Sequence, residues 1–112
     1  MGTKVLYLVK YENDQKAAML DTPAMRERAT IHRKAIADFG GTPIAQYGTF
    51  GEYDMVYIYE MPDTMHVAAN LHLTDSFGLA KYSKAIVLMD EDEFSQSMAL
   101  AKETPTDYSP AT

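Results

Sequence analysis

His32 is the residue of this chain whose type and position are best suited to chemistry. It stands in the middle of an apolar stripe at three- and four-residue spacing, which predicts that its imidazole faces a sheet and not water. The stripe consists of Met25, Ala29, His32, Ile36 and Phe39. A neutral imidazole in such a place needs a hydrogen-bond partner. It could be a general base or an axial or metal ligand, but the pattern favours a core histidine bonded to a backbone carbonyl or a tyrosine hydroxyl.

Two further histidines, His66 and His72, lie on a second predicted helix. Their six-residue separation places them on different faces, so they do not chelate a metal by themselves. His72 could face the sheet alongside His32, where the two could hold a metal or a haem with a third ligand. That ligand would be Asp75, Glu52 or a tyrosine. No spacing in the sequence requires this arrangement, so no metal ligand is assigned and the cofactor stays unknown.

Asp54 stands at the start of a strand, where an acidic residue is disfavoured. It could cap the glycine-rich turn before it by accepting hydrogen bonds from backbone N–H groups, with Tyr53 packed beside it. It could instead be a carboxylate at the rim of a pocket, where it would orient a histidine or a substrate. The candidate catalytic residues are therefore His32, Asp54 and Tyr53.

The surrounding pattern places these residues on a regular order of strands and helices. β-branched and aromatic runs between polar or glycine-rich segments predict four strands. Thr22 with Pro23 begins a helix and Asp63 caps a second one. Asp90 and Glu93 form a capping box for a third helix. The predicted strands span 4–11, 42–51, 53–60 and 81–90, and the predicted helices begin near 22, 63 and 90. This β-α-β-β-α-β order with a C-terminal helix predicts an α+β ferredoxin-like domain with an antiparallel sheet.

The third predicted strand is apolar or aromatic on both of its faces. Val56 and Ile58 point one way, whereas Tyr57 and Tyr59 point the other. Helices cover one face of a ferredoxin-like sheet, and the other face should carry polar residues if it met water. A second copy of the sheet is the simplest cover for that face. The sequence therefore predicts two chains paired through their sheets into a dimeric α/β barrel, or a higher homo-oligomer.

Several tyrosines are expected to line the barrel face of the sheet. They are Tyr7, Tyr47, Tyr57 and Tyr59. Packing of the dimer is the favoured role, and a cavity lined for an aromatic or polyketide-like small molecule is the alternative. In that second interpretation, His72, Tyr57 and Tyr7 are the candidate cofactor- or ligand-binding residues.

The segment "YGTFGEYDMVYIYEMPD" resembles the signature of the GYD domain family. The Gly-Tyr-Asp pattern of that family is spread here as Gly51-Glu52-Tyr53-Asp54. The opening "YLVKY", the "FGG" after the first helix and the acidic "DEDEF" after the last strand are also similar to family segments. The resemblance covers roughly residues 3–100, and the second helix departs from it. It implies the dimeric α/β-barrel fold and leaves the biochemical role open.

Length, cysteine count and charge narrow the class of protein further. The chain of 112 residues suits one domain, predicted over 1–103, followed by a flexible polar tail over 104–112. It has no cysteine, which excludes disulfides and thiolate metal sites. The formal net charge of −6 argues against nucleic acid and acidic membranes as partners. The N-terminal apolar run is short and interrupted by Lys4 and Lys10, so we expect a cytoplasmic protein.

Together these features predict a small-molecule-binding protein or a cofactor-poor enzyme of the oxygenase, isomerase or cyclase kind. Its pocket would lie between the helices and the sheet near His32. The alternative is a non-catalytic assembly or accessory subunit that acts through homo-oligomerisation. The sequence leaves open whether the protein is an enzyme.

Overall fold

The computed structural model describes residues 2–109 of the chain. In that part of the chain the elements are β1 (Thr3–Tyr11), α1 (Asn13–Ala18), α2 (Thr22–Asp38), β2 (Thr42–Gly48), β3 (Met55–Met61), α3 (Thr64–Ser76), β4 (Ala80–Leu88) and α4 (Glu91–Glu103). The strands form one sheet in the order β2-β3-β1-β4, and every neighbouring pair is antiparallel. The predicted α+β ferredoxin-like fold is confirmed.

Helix caps fix where α3 and α4 begin. The Asp63 side chain accepts a hydrogen bond from the N–H of His66, and the Asp90 side chain accepts one from the N–H of Glu93. Gly40 follows the end of α2 with φ +81°, a conformation that side chains other than glycine rarely adopt. The helix starts predicted from the acidic caps are therefore found within a residue or two.

The short helix α1 is absent from the sequence prediction. Its six residues, NDQKAA, carry no apolar stripe, so periodicity gives no signal for it. It links β1 to α2 and brings its Lys16 to Asp54 and its Gln15 to Arg28. This connection positions polar side chains at one end of the sheet.

The faces of the sheet correct the predicted place of three tyrosines. Tyr7, Tyr57 and Tyr59 are buried in the core beneath the helices, together with Ile36 of α2 and Val67 of α3. They do not line the barrel face, as the sequence analysis expected. Alternation along a strand shows which residues share a face, but it does not show which face the helices cover.

The opposite face of the sheet, called here the open face, is covered by no helix of the described residues. It carries the aliphatic side chains that alternate with the buried tyrosines, and Tyr47 also lies on it, as predicted, because it pairs with Val56. The aliphatic residues of the open face are Leu6, Leu8, Val56, Ile58, Ile86 and Leu88. All of them are partly or largely exposed to solvent in the single chain.

Helix α4 projects from the end of β4. Every residue of α4 is exposed, including Phe94 and Met98, which are 56% and 59% exposed. Residues 104–109 are exposed too and have no helix or strand, and the rest of the predicted tail lies outside the described residues. None of the helices in the part of the chain described combines the length and apolar character needed to cross a bilayer.

Candidate functional site

The ring of His32 stacks on the ring of Tyr57 beneath α2. Their centroids are 3.7 Å apart and their planes differ by 20°. Tyr7, the cross-strand partner of Tyr57, lies 6.3 Å from His32 and 6.1 Å from Tyr57. His32 therefore faces the sheet, as its place in the stripe indicates. Three of the candidate site residues meet in one aromatic layer between helix and sheet.

Several buried polar atoms in and around this layer have no hydrogen-bond partner among residues 2–109. They are His32 Nδ1, Arg28 Nη1, Tyr59 Oη and Asn70 Nδ2. An unsatisfied buried polar group costs about 1–3 kcal/mol. Buried polar atoms in native proteins usually have a partner from the protein, a water molecule or a ligand, so we expect partners of these kinds here.

Burial lowers the pKa of His32 to about 4, and the nearby charge of Arg33 contributes in the same direction. The imidazole is therefore neutral at pH 7. A base of this pKa is weak, because efficient general bases have pKa values near the working pH. The electrostatics of His32 therefore argue against proton abstraction at neutral pH.

The phenol groups in the same layer are also held neutral. The hydroxyls of Tyr11 and Tyr57 lie 3.0 Å apart and share a hydrogen bond. Burial is the main cause that raises the pKa of both, and burial with the neighbouring Tyr7 raises the pKa of Tyr59 to about 12. The Arg28 guanidinium lies over the ring of Tyr11, 5.4 Å from its centroid. The hydroxyl of Tyr57 is thus hydrogen-bonded to the phenol of Tyr11, and the guanidinium of Arg28 lies over the ring of Tyr11.

The other side of Tyr57 borders a cavity of about 240 Å³ between α2 and β2. Its walls are mainly apolar, and its polar side chains come from Arg33 and Gln46, which are hydrogen-bonded at 3.1 Å. The lining residues are Arg33, Ile36, Pro43, Ile44, Ala45, Gln46, Tyr57 and Ile58. The cavity lies where the sequence analysis expects a pocket, between helix and sheet and beside the His32–Tyr57 stack.

The side chain of Asp54 links the segment before β3 to β1 and α1. Its buried carboxylate accepts hydrogen bonds from the N–H of Tyr11, at 3.0 Å, and from the ammonium groups of Lys10 and Lys16. Burial opposes ionisation, but the bonds from Lys16, Tyr11 and Lys10 outweigh it and lower the pKa of Asp54. The bonds run to β1 and α1 and not to the preceding turn, so Asp54 ties the segment before β3 to the end of β1.

Tyr53 packs at the end of the sheet. Its ring meets Tyr82 edge to face with the centroids 5.6 Å apart, and the Tyr82 hydroxyl donates to the carbonyl of Glu52. No described hydrogen bond joins Tyr53 or Asp54 to His32. The structure therefore does not gather the three candidate catalytic residues into one set.

His72 is exposed on α3, so it does not face the sheet alongside His32, the arrangement that the sequence left open. The side of α3 that meets the sheet carries Val67, Asn70, Leu71 and Thr74, and the residue after Leu71 is turned about 100° away. Among residues 2–109, no group of three His, Asp or Glu side chains is placed to hold a metal ion. The structure thus gives no support to a metal or haem between these two histidines.

The sequence analysis did not identify Tyr11, Gln46 and Asn70 as site residues. Tyr11 continues the alternation of Tyr7 and Val9, which was a usable signal for its buried face. Gln46 had none, because β2 is irregular: its register against β3 shifts between Pro43 and Ala45. Only the paired sheet shows that Gln46 shares a face with Tyr57.

Comparisons with known proteins agree with this fold. A family model for the GYD domain matches residues 6–98. A search of curated proteins finds no match. Among solved structures, the crystal structure of MtbAldR is similar with a TM-score of 0.56 at 11% sequence identity. The alignment covers 81% of this chain and 55% of that one, so the chain spans about half of that protein's length. At this identity the similarity shows the fold alone.

Proposed function

The chain belongs to the GYD domain family, and we propose that it binds a small molecule in the cavity between α2 and β2. The observation that carries this proposal is the shared wall of the cavity. Tyr57 lines the cavity and stacks on His32, whose buried Nδ1 has no partner among the described residues. A concave, largely apolar site with a few convergent polar groups is the usual form of a ligand pocket.

Binding is favoured over catalysis by the state of the titratable groups. His32 is neutral with a pKa of about 4, and the tyrosines around it have raised pKa values. A general base or acid would be tuned towards the working pH. Of these groups Tyr57 lines the cavity, where its neutral ring offers a stacking surface to a bound molecule.

A cavity-filling substitution tests the proposal. We would record ¹H–¹⁵N NMR spectra of the full chain with a mixture of small carboxylic, amino and aromatic compounds. Ile44 lines the cavity and is half exposed, so Ile44→Trp should fill the space at little cost to the core. Ile31, also half exposed but outside the lining, gives the matched control Ile31→Trp.

The proposal predicts shift changes around Ile36 and Tyr57 in the wild type and in Ile31→Trp, and their loss in Ile44→Trp. Compounds that shift no cavity residue of the wild type, or that shift them equally in Ile44→Trp, would contradict it.

Homo-oligomerisation is the second candidate function, and the open face supports it. Six aliphatic side chains on β1, β3 and β4 form one contiguous apolar surface, and exposed patches of this kind often mark interaction sites. The sheet is four strands wide, at about 4.8 Å per strand, and about seven residues long, at about 3.3 Å per residue, so one face has a flat area of about 440 Å². We propose that a second copy of this chain covers the open face.

Helix α4 supports the same candidate. Phe94, Met98 and Ala101 are spaced at i, i+4 and i+7, so they share one side of the helix, and all three are exposed. A helix gains most of its stability from packing such a side against another surface. We propose that α4 reaches the second copy across the edge formed by β4, which widens the interface beyond the sheet.

A further inference from the structure

The charge at the cavity between α2 and β2 points to the class of its ligand. Arg33 supplies the one charged side chain in the described lining, and no acidic residue stands there. Within residues 2–109, no carboxylate lies within 4.0 Å of Arg33. Its guanidinium is instead hydrogen-bonded to two neutral oxygens, at 3.1 Å to Gln46 and at 3.3 Å to Thr30.

This unmatched cation stands in an acidic protein. The chain has a net charge of −6, so carboxylates are plentiful, yet none is placed to pair with Arg33. A guanidinium binds carboxylates and phosphates through paired N–H donors that are about twice as strong as bonds to neutral acceptors. The arrangement leaves that stronger bond available to an anion that enters the cavity.

The size and walls of the cavity limit the rest of the ligand. A volume of about 240 Å³ equals about eight water molecules, and it falls below the about 300–1,000 Å³ of pockets for drug-sized ligands. Ile36 and Ile44 supply apolar walls, and Tyr57 offers an aromatic one. Such walls suit a compact hydrocarbon or aromatic body and not a sugar or a nucleotide.

We propose that the cavity binds a small, mostly apolar molecule with a single oxyanionic group, a carboxylate or a phosphate, held by Arg33. This inference rests on the proposed function and adds the class of ligand. Gln46 would give up its bond to Arg33 or keep it beside the anion, and its amide N–H₂ could donate a further hydrogen bond.

His32 provides an independent readout of the same event. The positive charge of Arg33 is one of the two causes that lower the pKa of His32. An anion on Arg33 would compensate that charge, so the pKa of His32 should rise when the anion binds. A neutral ligand of the same shape lacks this effect.

The test uses three probes of similar shape with the full chain: benzoate, phenyl phosphate and neutral benzyl alcohol. Affinities come from ¹H–¹⁵N NMR titrations, and the pKa of His32 comes from its imidazole resonances with and without each probe. We expect at least one anionic probe to bind tenfold or more tightly than benzyl alcohol and to raise the pKa of His32. The comparison of benzoate with phenyl phosphate identifies the preferred oxyanion.

Variants on α2 locate the anion. Arg33→Gln should weaken the anionic probe tenfold or more and leave benzyl alcohol unchanged. Arg26 is exposed and lies seven residues earlier on the same helix, so Arg26→Gln is the matched control and should change nothing. Arg28→Gln removes the guanidinium beside the Tyr11–Tyr57 hydroxyl pair and tests whether the anion binds at that end of Tyr57 instead.

Each other outcome overturns the inference. Equal affinity of benzyl alcohol and both anionic probes would show a pocket without preference for anions, and the proposed function would stand. Loss of binding in Arg28→Gln and not in Arg33→Gln would place the anion at the other end of Tyr57. Failure of all three probes would also overturn it, while the Ile44→Trp experiment with the wider mixture decides the proposed function separately.

Discussion

At the scale of single residues, His32 shows which features of a site a sequence pattern can predict. The three- and four-residue spacing around it is enough to predict that it faces the sheet. Its partner could not be predicted, because the stack on Tyr57 depends on which face of β3 the helices cover. The sequence predicted a hydrogen-bond partner for His32, but its Nδ1 has none among residues 2–109. In this respect the site departs from ordinary core packing.

The first residue-scale prediction concerns stability in acid. The pKa of His32 is about 4 in the folded chain and 6.5 in the unfolded chain. Between these pH values the unfolded chain binds a proton that the folded chain does not. The free energy of unfolding should therefore decrease as the pH falls from 6.5 to 4, by up to about 3 kcal/mol from this residue.

Urea unfolding of wild type and His32→Phe at pH 4 to 7 checks this expectation. The variant should lose the His32 contribution and show a flatter dependence on pH over that window. His72→Gln, at an exposed position on α3, should keep the wild-type slope. An unchanged slope in His32→Phe would mean that His32 is not buried in its neutral form.

The second residue-scale prediction concerns Asp54. Asp54→Asn should lower the free energy of unfolding by about 2 kcal/mol at pH 7, because it leaves Lys10 and Lys16 without their carboxylate. The pKa of Asp54 is lowered in the folded chain, so its contribution is present above the unfolded value of 3.8 and is lost as the pH falls through the folded value.

The difference between wild type and Asp54→Asn should accordingly shrink in strong acid. Denaturant unfolding at pH 7 and at pH 2 measures it. Glu52→Gln, an exposed neighbour two residues earlier, should have no more than a small effect at either pH. A constant difference at both pH values would show that the charge of Asp54 does not stabilise the fold.

At the scale of elements, the helices with capping residues were predictable and α1 was not. Asp63 and Asp90 mark the starts of α3 and α4 because a side-chain oxygen there accepts a backbone N–H. Six polar residues without a stripe carry no comparable signal. The consequence reaches the site, because α1 supplies Lys16 to Asp54 and Gln15 to Arg28.

The element-scale prediction concerns α4. If the helix packs on a second copy, Phe94→Asp should weaken self-association about tenfold or more, because one buried phenylalanine stabilises by about 1.5–3 kcal/mol. Gln96→Asp makes the same change of charge on another side of α4 and serves as the control. Sedimentation equilibrium measures the self-association of both variants. An equal effect of the two substitutions would show that α4 is not part of the interface.

At the scale of the whole molecule, the topology followed from the order of the elements, whereas the faces of the sheet did not. The prediction that a second copy covers the other face of the sheet stays a prediction, because that face is exposed in the single chain. The radius of gyration of 17.5 Å exceeds the about 13 Å of a compact chain of this length. The excess reflects α4, which projects from the end of β4 and is exposed along its whole length.

The molecule-scale prediction places one charge at the centre of the open face. Leu6 lies between Ile58 and Ile86 on the neighbouring strands, so Leu6→Lys should bring two charges into a symmetric sheet-to-sheet interface. We expect the dissociation constant of the dimer to rise at least a hundredfold, which corresponds to about 3 kcal/mol. Ala37→Lys on the exposed side of α2 is the control, and light scattering after size exclusion reports the mass.

Native mass spectrometry of protein purified without a tag, before and after denaturation, tests the central claim most directly. We expect an oligomer of at least twice the 12.5 kDa chain mass that carries an extra small-molecule mass, released when the protein is denatured. A ligand-free chain at 12.5 kDa, unchanged by denaturation apart from its charge states, would contradict both the bound small molecule and the paired sheets.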